Sequence, residues 1–345
     1  MKTQQVNAGN IAIGGGAPIR TQTMWKDPLT KDIDKVLERL SSLSGIGCSL
    51  VRFAVPDGDT AEVLSRISRT SPVPVVADIH YDYRLALSCI EGGVHKIRIN
   101  PGNIGAPWKV QEVVKAAAAR DIPIRVGVNS GSLPKELRRE KDTASAMVKA
   151  AESEMEIFEK LSFHKLVYSL KSSDIETTVK ANTLFSRTYS YPLHLGVTEA
   201  GPLIPGIVKS SVALSRLLKE GIGDTIRVSL SDSPESEVIA GMEILSASGI
   251  PISRPNLISC PRCGRSTFDT HEFVGKLAPY LYGMDTEASV AVMGCVVNGP
   301  GEAKEADLGI TGAGKEIIIF RRGEIIKKVM REDALGEFVK ELGQL

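Results

Sequence analysis

Between residues 17 and 249 the chain repeats one pattern eight times: a short apolar run ending in polar residues or glycine, then an amphipathic stretch. The apolar runs are 18–24, 49–55, 73–79, 96–102, 124–130, 165–171, 193–199 and 225–231. They are rich in Val, Ile and Leu, as parallel strands covered on both faces are. The amphipathic stretches begin at Asp32, Asp59, Asp82, Lys109, Asp142, Asp174, Ile207 and Ser233. Several open on Asp or Ser, which cap helix N-termini, and several close on glycine, at Gly92, Gly221 and Gly249. Eight even strand–helix units predict an α/β fold, a (β/α)8 TIM barrel. The residues before Pro18, with Gly14, Gly15 and Gly16, read as a lead-in hairpin or plug.

After Gly249 the pattern changes. IPISRPN (250–256) carries two prolines and reads as a linker. ISCPRCGR, a helical HEFVGKLAPYLYG, a strand ASVAVMGC and a glycine-rich loop VVNGPGEAKEADLGITGAGK follow, then strands EIIIF and EIIKKV and a final helix DALGEFVKEL. The expected organisation is a barrel over 1–249 and a small α+β domain over 250–345.

Composition narrows the class. The 345 residues are 42% hydrophobic, enough for a full core, yet no run approaches the ~20 apolar residues of a membrane span. The N-terminus MKTQQVNAGN lacks the apolar segment of a secretory signal. A net charge of +1 with mixed signs argues against nucleic-acid or membrane-surface partners. A cytoplasmic protein is expected.

Barrel enzymes place their chemistry at the C-terminal ends of the strands. There the sequence carries Arg52, Asp78 with His80, Arg98 with Asn100, Arg125 with Asn129, Lys171, Glu199, and Ser229 with Ser231. Strand side chains alternate faces, so the members of each spaced pair share a face. Four basic residues converging on one mouth need compensation, and Asp78 and Glu199 supply only two negative charges. A multiply charged anion completes the balance, and arginine's fork suits phosphate oxygens.

The five cysteines are unevenly placed. Cys48 precedes a strand and Cys89 lies among apolar helix positions, so both read as core fillers. Cys260-Pro-Arg-Cys263 has the spacing that lets two thiolates grip one metal, and Cys295 follows alone. Spacing leaves two centres open: a Cys3His zinc site completed by His271, or an iron–sulfur cluster. Three features favour iron–sulfur. The loop Asn298-Gly299-Pro300-Gly301 offers amides to cluster sulfides, Glu302 is available as an oxygen ligand, and an open iron beside an anion site suits redox chemistry. Gly309-Ile-Thr-Gly-Ala-Gly314-Lys315 matches the spacing of a phosphate-binding loop, but Glu316 follows in place of Ser or Thr and a strand in place of a helix, so it reads as a glycine-rich turn.

SCPRCGR (259–265) and GCVVNGPGEAKEADLGITG (294–312) closely resemble the C-terminal signature of the 4-hydroxy-3-methylbut-2-enyl diphosphate synthase family of the non-mevalonate isoprenoid pathway. VRFAVP, VADIHY, KIRINPGN, RVGVNSGSL and GVTEAG in the barrel are similar to that family too. The resemblance implies reductive opening of 2-C-methyl-D-erythritol 2,4-cyclodiphosphate, with two electrons entering and water leaving. It implies a 4Fe–4S cluster on Cys260, Cys263, Cys295 and Glu302, fed by flavodoxin or ferredoxin. It also implies that Arg52, Arg98, Arg125 and Lys171, helped by Asn129 and Ser229, hold the diphosphate. Asp78, His80 and Asn100 would hold the hydroxylated carbon part, and Glu199 would donate a proton to the departing hydroxyl.

The eighth helix should run away from the mouth over roughly 20–25 Å. The linker 250–256 spans at most about 25 Å. The expectation is a head-to-tail homodimer in which the cluster domain of one chain caps the barrel of the other, as in the resembled family.

Overall fold

The computed structural model describes residues 2–295 and 303–345. The chain divides into two compact units, Met1–Ile250 and Pro251–Leu345.

The first unit opens with a hairpin, β1 (Val6–Ala8) and β2 (Ile11–Ile13). Val6, Ala8 and Ile13 pack on Leu50, Val76 and Val167, which lie near the starts of barrel strands, so the hairpin plugs the N-terminal end. The barrel strands are β3 (Arg20–Met24), β4 (Leu50–Ala54), β5 (Val75–Asp78), β6 (Lys96–Ile99), β7 (Ile124–Asn129), β8 (Leu166–Lys171), β9 (His194–Leu195) and β10 (Thr225–Ile226). All pair in parallel, in the order β8-β7-β6-β5-β4-β3-β10-β9. A parallel bridge from Tyr168 to Leu193, with Tyr168 N donating to Pro192 O at 2.8 Å, joins β8 to the approach of β9 and closes the ring.

The helices are α1 (Ile33–Gly45), α2 (Gly58–Thr70), α3 (Tyr83–Gly92), α4 (Pro101–Ile104), α5 (Pro107–Ala119), α6 (Thr143–Glu159), α7 (Ile175–Thr188), α8 (Leu203–Lys219) and α9 (Pro234–Ala247). Side-chain oxygens cap them where the sequence reading placed Asp and Ser: Asp82, Asp174 and Ser233 accept from the amides of Arg84, Thr177 and Ser236. The second helix is capped by Asp57, accepting from Thr60 N, so it starts before Asp59. Two helices start upstream of the amphipathic signal, on Pro107 and Leu203, and α4 was not anticipated. Gly92 does not supply the left-handed turn after α3. Gly93 does, with φ of 90°, while a Cβ on Gly92 would stand 1.8 Å from Ser65 Oγ.

In the second unit the linker is shorter than read, because β11 (Asn256–Ser259) begins at Asn256. Then come α10 (Thr270–Tyr282), β12 (Ser289–Met293), β13 (Leu308–Ala313), β14 (Glu316–Arg321), β15 (Glu324–Met330) and α11 (Ala334–Leu342). β11, β12 and β13 run parallel, and β13, β14 and β15 form an antiparallel meander. Phe273, Leu277 and Leu281 of α10 and Phe338 and Leu342 of α11 bury the face made by Val290, Val292, Ile310, Ile317 and Ile319. β13 corrects the reading of 296–315 as one loop. Its glycines are there for packing, since a Cβ on Gly309 would lie 2.1 Å from the Phe320 ring. Only the turn at Gly314 and Lys315 remains of the phosphate-loop lookalike. No helix among the described residues is long and apolar enough to cross a membrane.

Candidate functional site

Register builds the barrel mouth. Asp78, Arg98 and Arg125 are in-register partners on β5, β6 and β7, so three charged side chains lie in one row. Asp78 Oδ1 accepts from Arg98 Nη1 at 3.0 Å, and Arg52 Nε stands 3.5 Å from Asp78 Oδ2. Arg98 Nη1 is also 3.1 Å from His80 Nε2, while Arg52 Nη2 reaches Met24 Sδ at 2.8 Å. Lys171 ends β8, and its Nζ lies 2.8 Å from where a Cβ on Gly196, just past β9, would be, beside the Arg227 backbone oxygen at 2.7 Å.

Arg52, Asp78, Arg98, Arg125 and Lys171 are all buried. Arg98 Nε and Arg125 Nε and Nη1 are buried with no hydrogen-bond partner among the described residues. Buried guanidinium nitrogens without acceptors are costly. An anion bound among them would supply the missing acceptors.

The ionisation pattern follows from the crowding. Burial would raise the Asp78 carboxyl, but His80 and the Arg52, Arg98 and Arg125 charges overcome it and hold it well below the usual range. Burial, and then the neighbouring cations, bring Arg52 down to about 10 and pull Lys171 and Arg125 well below their ordinary values.

The remaining sequence-derived positions occupy the rim. Asn100 is buried, and its Oδ1 accepts from Gly102 N at 3.0 Å, capping α4. Asn129 and Ser229 are half-buried, and His80 and Glu199 are exposed. Glu199 has φ of 52°, the left-handed conformation that a non-glycine residue rarely adopts.

Four polar residues of the first unit escaped the sequence reading. Lys96 is fully buried beneath the mouth, with Nζ 3.3 Å from Gln22 Oε1. His194 pairs with Thr225 Oγ1 at 2.8 Å. Arg227 follows β10 and is held by the buried carboxylate of Glu237 on α9. Arg227 could have been found, since it shares the alternation of Ser229. Glu237 carried no such signal, being one of two acids in a helical first turn.

In the second unit Cys260 follows β11 directly and Cys295 lies just past the neighbouring parallel β12. Gly294 N donates to Cys260 Sγ at 3.1 Å. Cys263 is exposed in the loop between β11 and α10, and the backbone amide of Arg265 leads the groups that draw its thiol below the ordinary value. Sulfurs that receive amide hydrogen bonds and favour the thiolate suit metal ligation. Among the described residues no three His, Cys, Asp or Glu side chains gather as a metal-holding group. Glu302 and the loop Asn298–Gly301 lie outside the described residues. His271, the alternative zinc ligand, is exposed in the first turn of α10. Cys48 and Cys89 are buried in the first unit, and burial pushes each thiol up to about 12.

Comparison with known proteins sharpens these observations. Residues 3–242 match the GcpE TIM-barrel domain and residues 256–344 the GcpE protein C-terminal domain. A Geobacter sulfurreducens protein called 4-hydroxy-3-methylbut-2-en-1-yl diphosphate synthase (flavodoxin) is 47% identical over 346 residues, covering 100% of this chain and 98% of that protein. One of the same name from Caldicellulosiruptor saccharolyticus is 48% identical, covering 99% of each. Among solved structures, Yersinia pestis dihydropteroate synthase aligns with a TM-score of 0.52 at 12% identity, over 71% of this chain and 97% of that one, a likeness of barrel fold alone. With both domains matched in order and full-length relatives near half identical, the chain belongs to the GcpE family.

Proposed function

We propose that the chain is an iron–sulfur oxidoreductase that opens 2-C-methyl-D-erythritol 2,4-cyclodiphosphate reductively to 4-hydroxy-3-methylbut-2-enyl diphosphate. The observation that carries this reading is the row of buried, incompletely paired cations at the barrel mouth, in a chain that also carries three thiols at one end of a second sheet. The relatives' name supplies the reaction and supports flavodoxin as the electron source. Residues 1–249 would bind substrate and residues 250–345 would carry the cluster.

The reaction takes up two electrons and two protons and releases one water. Arg52, Arg98, Arg125 and Lys171 hold the diphosphate, with Asn129 and Ser229 at its edge. When the ring carbon–oxygen bond to phosphate breaks, negative charge grows on the released oxygen, and cations already in place stabilise it without reorganising. Asp78 keeps Arg98 and Arg52 oriented and, with His80 and Asn100, meets the hydroxylated carbons. Glu199, on its left-handed turn at the rim, gives a proton to the departing hydroxyl. Cys260, Cys263, Cys295 and Glu302 would hold a 4Fe–4S cluster, which delivers electrons one at a time when bound.

The protein would work in the cytoplasm as a homodimer, with the cluster domain of one chain over the barrel of the other. In support, α9 starts near the mouth and leads the chain away from it. Mixing an Arg125→Met chain with a Cys295→Ser chain should restore activity if sites are shared between subunits. The reading itself is tested by anaerobic assay of the cyclic diphosphate with reduced flavodoxin. Wild type should turn over while Cys295→Ser and Glu302→Ala lose nearly all activity, and full activity in Cys295→Ser would refute it.

A further inference from the structure

β10 pairs with β3 only at Thr225 and Ile226, so the chain beyond parts from β3, held on its other side by Arg227 N donating to Leu195 O at 3.0 Å, while Arg227 and Ser229 are still needed at the mouth. Glu237, in the first turn of α9, bridges this seam with a fully buried side chain. It accepts from Arg227 Nε at 3.2 Å and Nη2 at 2.8 Å, from Thr23 Oγ1 at 2.7 Å and from Leu230 N at 3.1 Å. Lys26 Nζ stands 3.0 Å from Oε1. A carboxylate offers about four acceptor sites, so this one is saturated. It ties together the end of β3, the exit of β10 and the start of α9.

Arg227 needs such an anchor. It is close enough to Arg52, Arg125 and Lys171 to disfavour the charge on each. A guanidinium in that company would swing toward solvent if it were free. The fork to Glu237 fixes its plane through Nε and Nη2 and leaves Nη1 out of the pair.

We propose that Glu237 is a positioning residue, which touches no substrate and holds Arg227 at the β3–β10 seam so that its Nη1 edge meets the substrate diphosphate. The inference rests on the reading of the mouth as a diphosphate site. It is tested by titrating inorganic pyrophosphate calorimetrically into anaerobically prepared holoenzyme. Glu237→Gln should bind about tenfold more weakly than wild type. In an Arg227→Ala background the same change should alter affinity by less than about twofold, because the two residues act as one unit. Arg227→Lys, which keeps the charge and loses the fork, should reproduce the about tenfold loss even if Glu237→Gln fails to fold. Wild-type affinity in Glu237→Gln or Arg227→Lys, or equal losses from Glu237→Gln in both backgrounds, overturns the proposal. A wild type that binds no pyrophosphate and opens no cyclic diphosphate removes the reading of the mouth itself, and the role of Glu237 with it.

Discussion

Asp78 and Arg98 are register partners on adjacent parallel strands, and their side chains meet at 3.0 Å inside the barrel. Asp78 also faces Arg52, at 3.5 Å, so one carboxylate serves two buried cations. Asp78→Asn should therefore destabilise the protein by about 3–5 kcal/mol near neutral pH, the cost of removing one partner of a buried pair. The carboxyl is held below its ordinary value, so its contribution is present above about pH 4 and is lost as pH falls through the depressed value. Urea denaturation should show the gap between wild type and variant closing only in strong acid. A gap that closes near pH 6 would contradict the assignment.

Arg125 has the opposite balance. Two of its buried nitrogens lack partners among the described residues. Arg125→Met should raise the stability of the ligand-free protein by about 1 kcal/mol and cost about 2–3 kcal/mol of pyrophosphate affinity. Thermal unfolding and calorimetric titration on one preparation test both halves. A less stable variant with unchanged affinity would make Arg125 a structural residue.

Lys171 should report the anion by its proton. Burial, then Arg125 and the other cations, hold its ammonium well below the ordinary value. A bound polyanion reverses that balance, so binding favours the protonated amine and takes protons up, and affinity falls as pH rises. Pyrophosphate titrations at about pH 8, in buffers of differing ionisation enthalpy, should give net uptake that shrinks in Lys171→Met. Proton release would contradict the sign.

Gly309 tests the dismissal of a nucleotide loop. A Cβ there would overlap the Phe320 ring at 2.1 Å, so Gly309→Ala should cost about 1–3 kcal/mol of stability. The wild type should show no ATP binding by calorimetry. Tight ATP binding that Gly309→Ala abolishes would restore the loop reading.

The helices of the barrel were legible because their signals are local: Asp82, Asp174 and Ser233 cap where they stand in sequence. The row of Asp78, Arg98 and Arg125 comes from register across β5, β6 and β7, while His80 and Asn100, expected beside them by alternation, lie just past the ends of their strands. What escaped depends on contacts between distant segments. β13 was hidden by glycines whose purpose is to admit Phe320 and Phe268. Lys96 finds its partner across the barrel interior, on Gln22 of β3, which is not a neighbour of β6 in the sheet. Glu237 reads as a helix acid by type, yet it falls on the buried stripe of α9 with Ala240, Gly241 and Ile244, and contacts with Arg227 and Thr23 from distant strands make that burial possible. The apolar runs around β9 and β10 look like full strands, yet only two residues of each join the ladder.

The proposed chemistry requires a polyanion site coupled to electron delivery within this one protein. Anaerobically reduced protein, mixed with the cyclic diphosphate in a single turnover, tests it most directly, with electrons consumed and product mass measured together. The expected product is 4-hydroxy-3-methylbut-2-enyl diphosphate, at two electrons per ring opened. A ring opened by water with no electrons consumed, or substrate left intact by protein holding about four irons per chain, would contradict it.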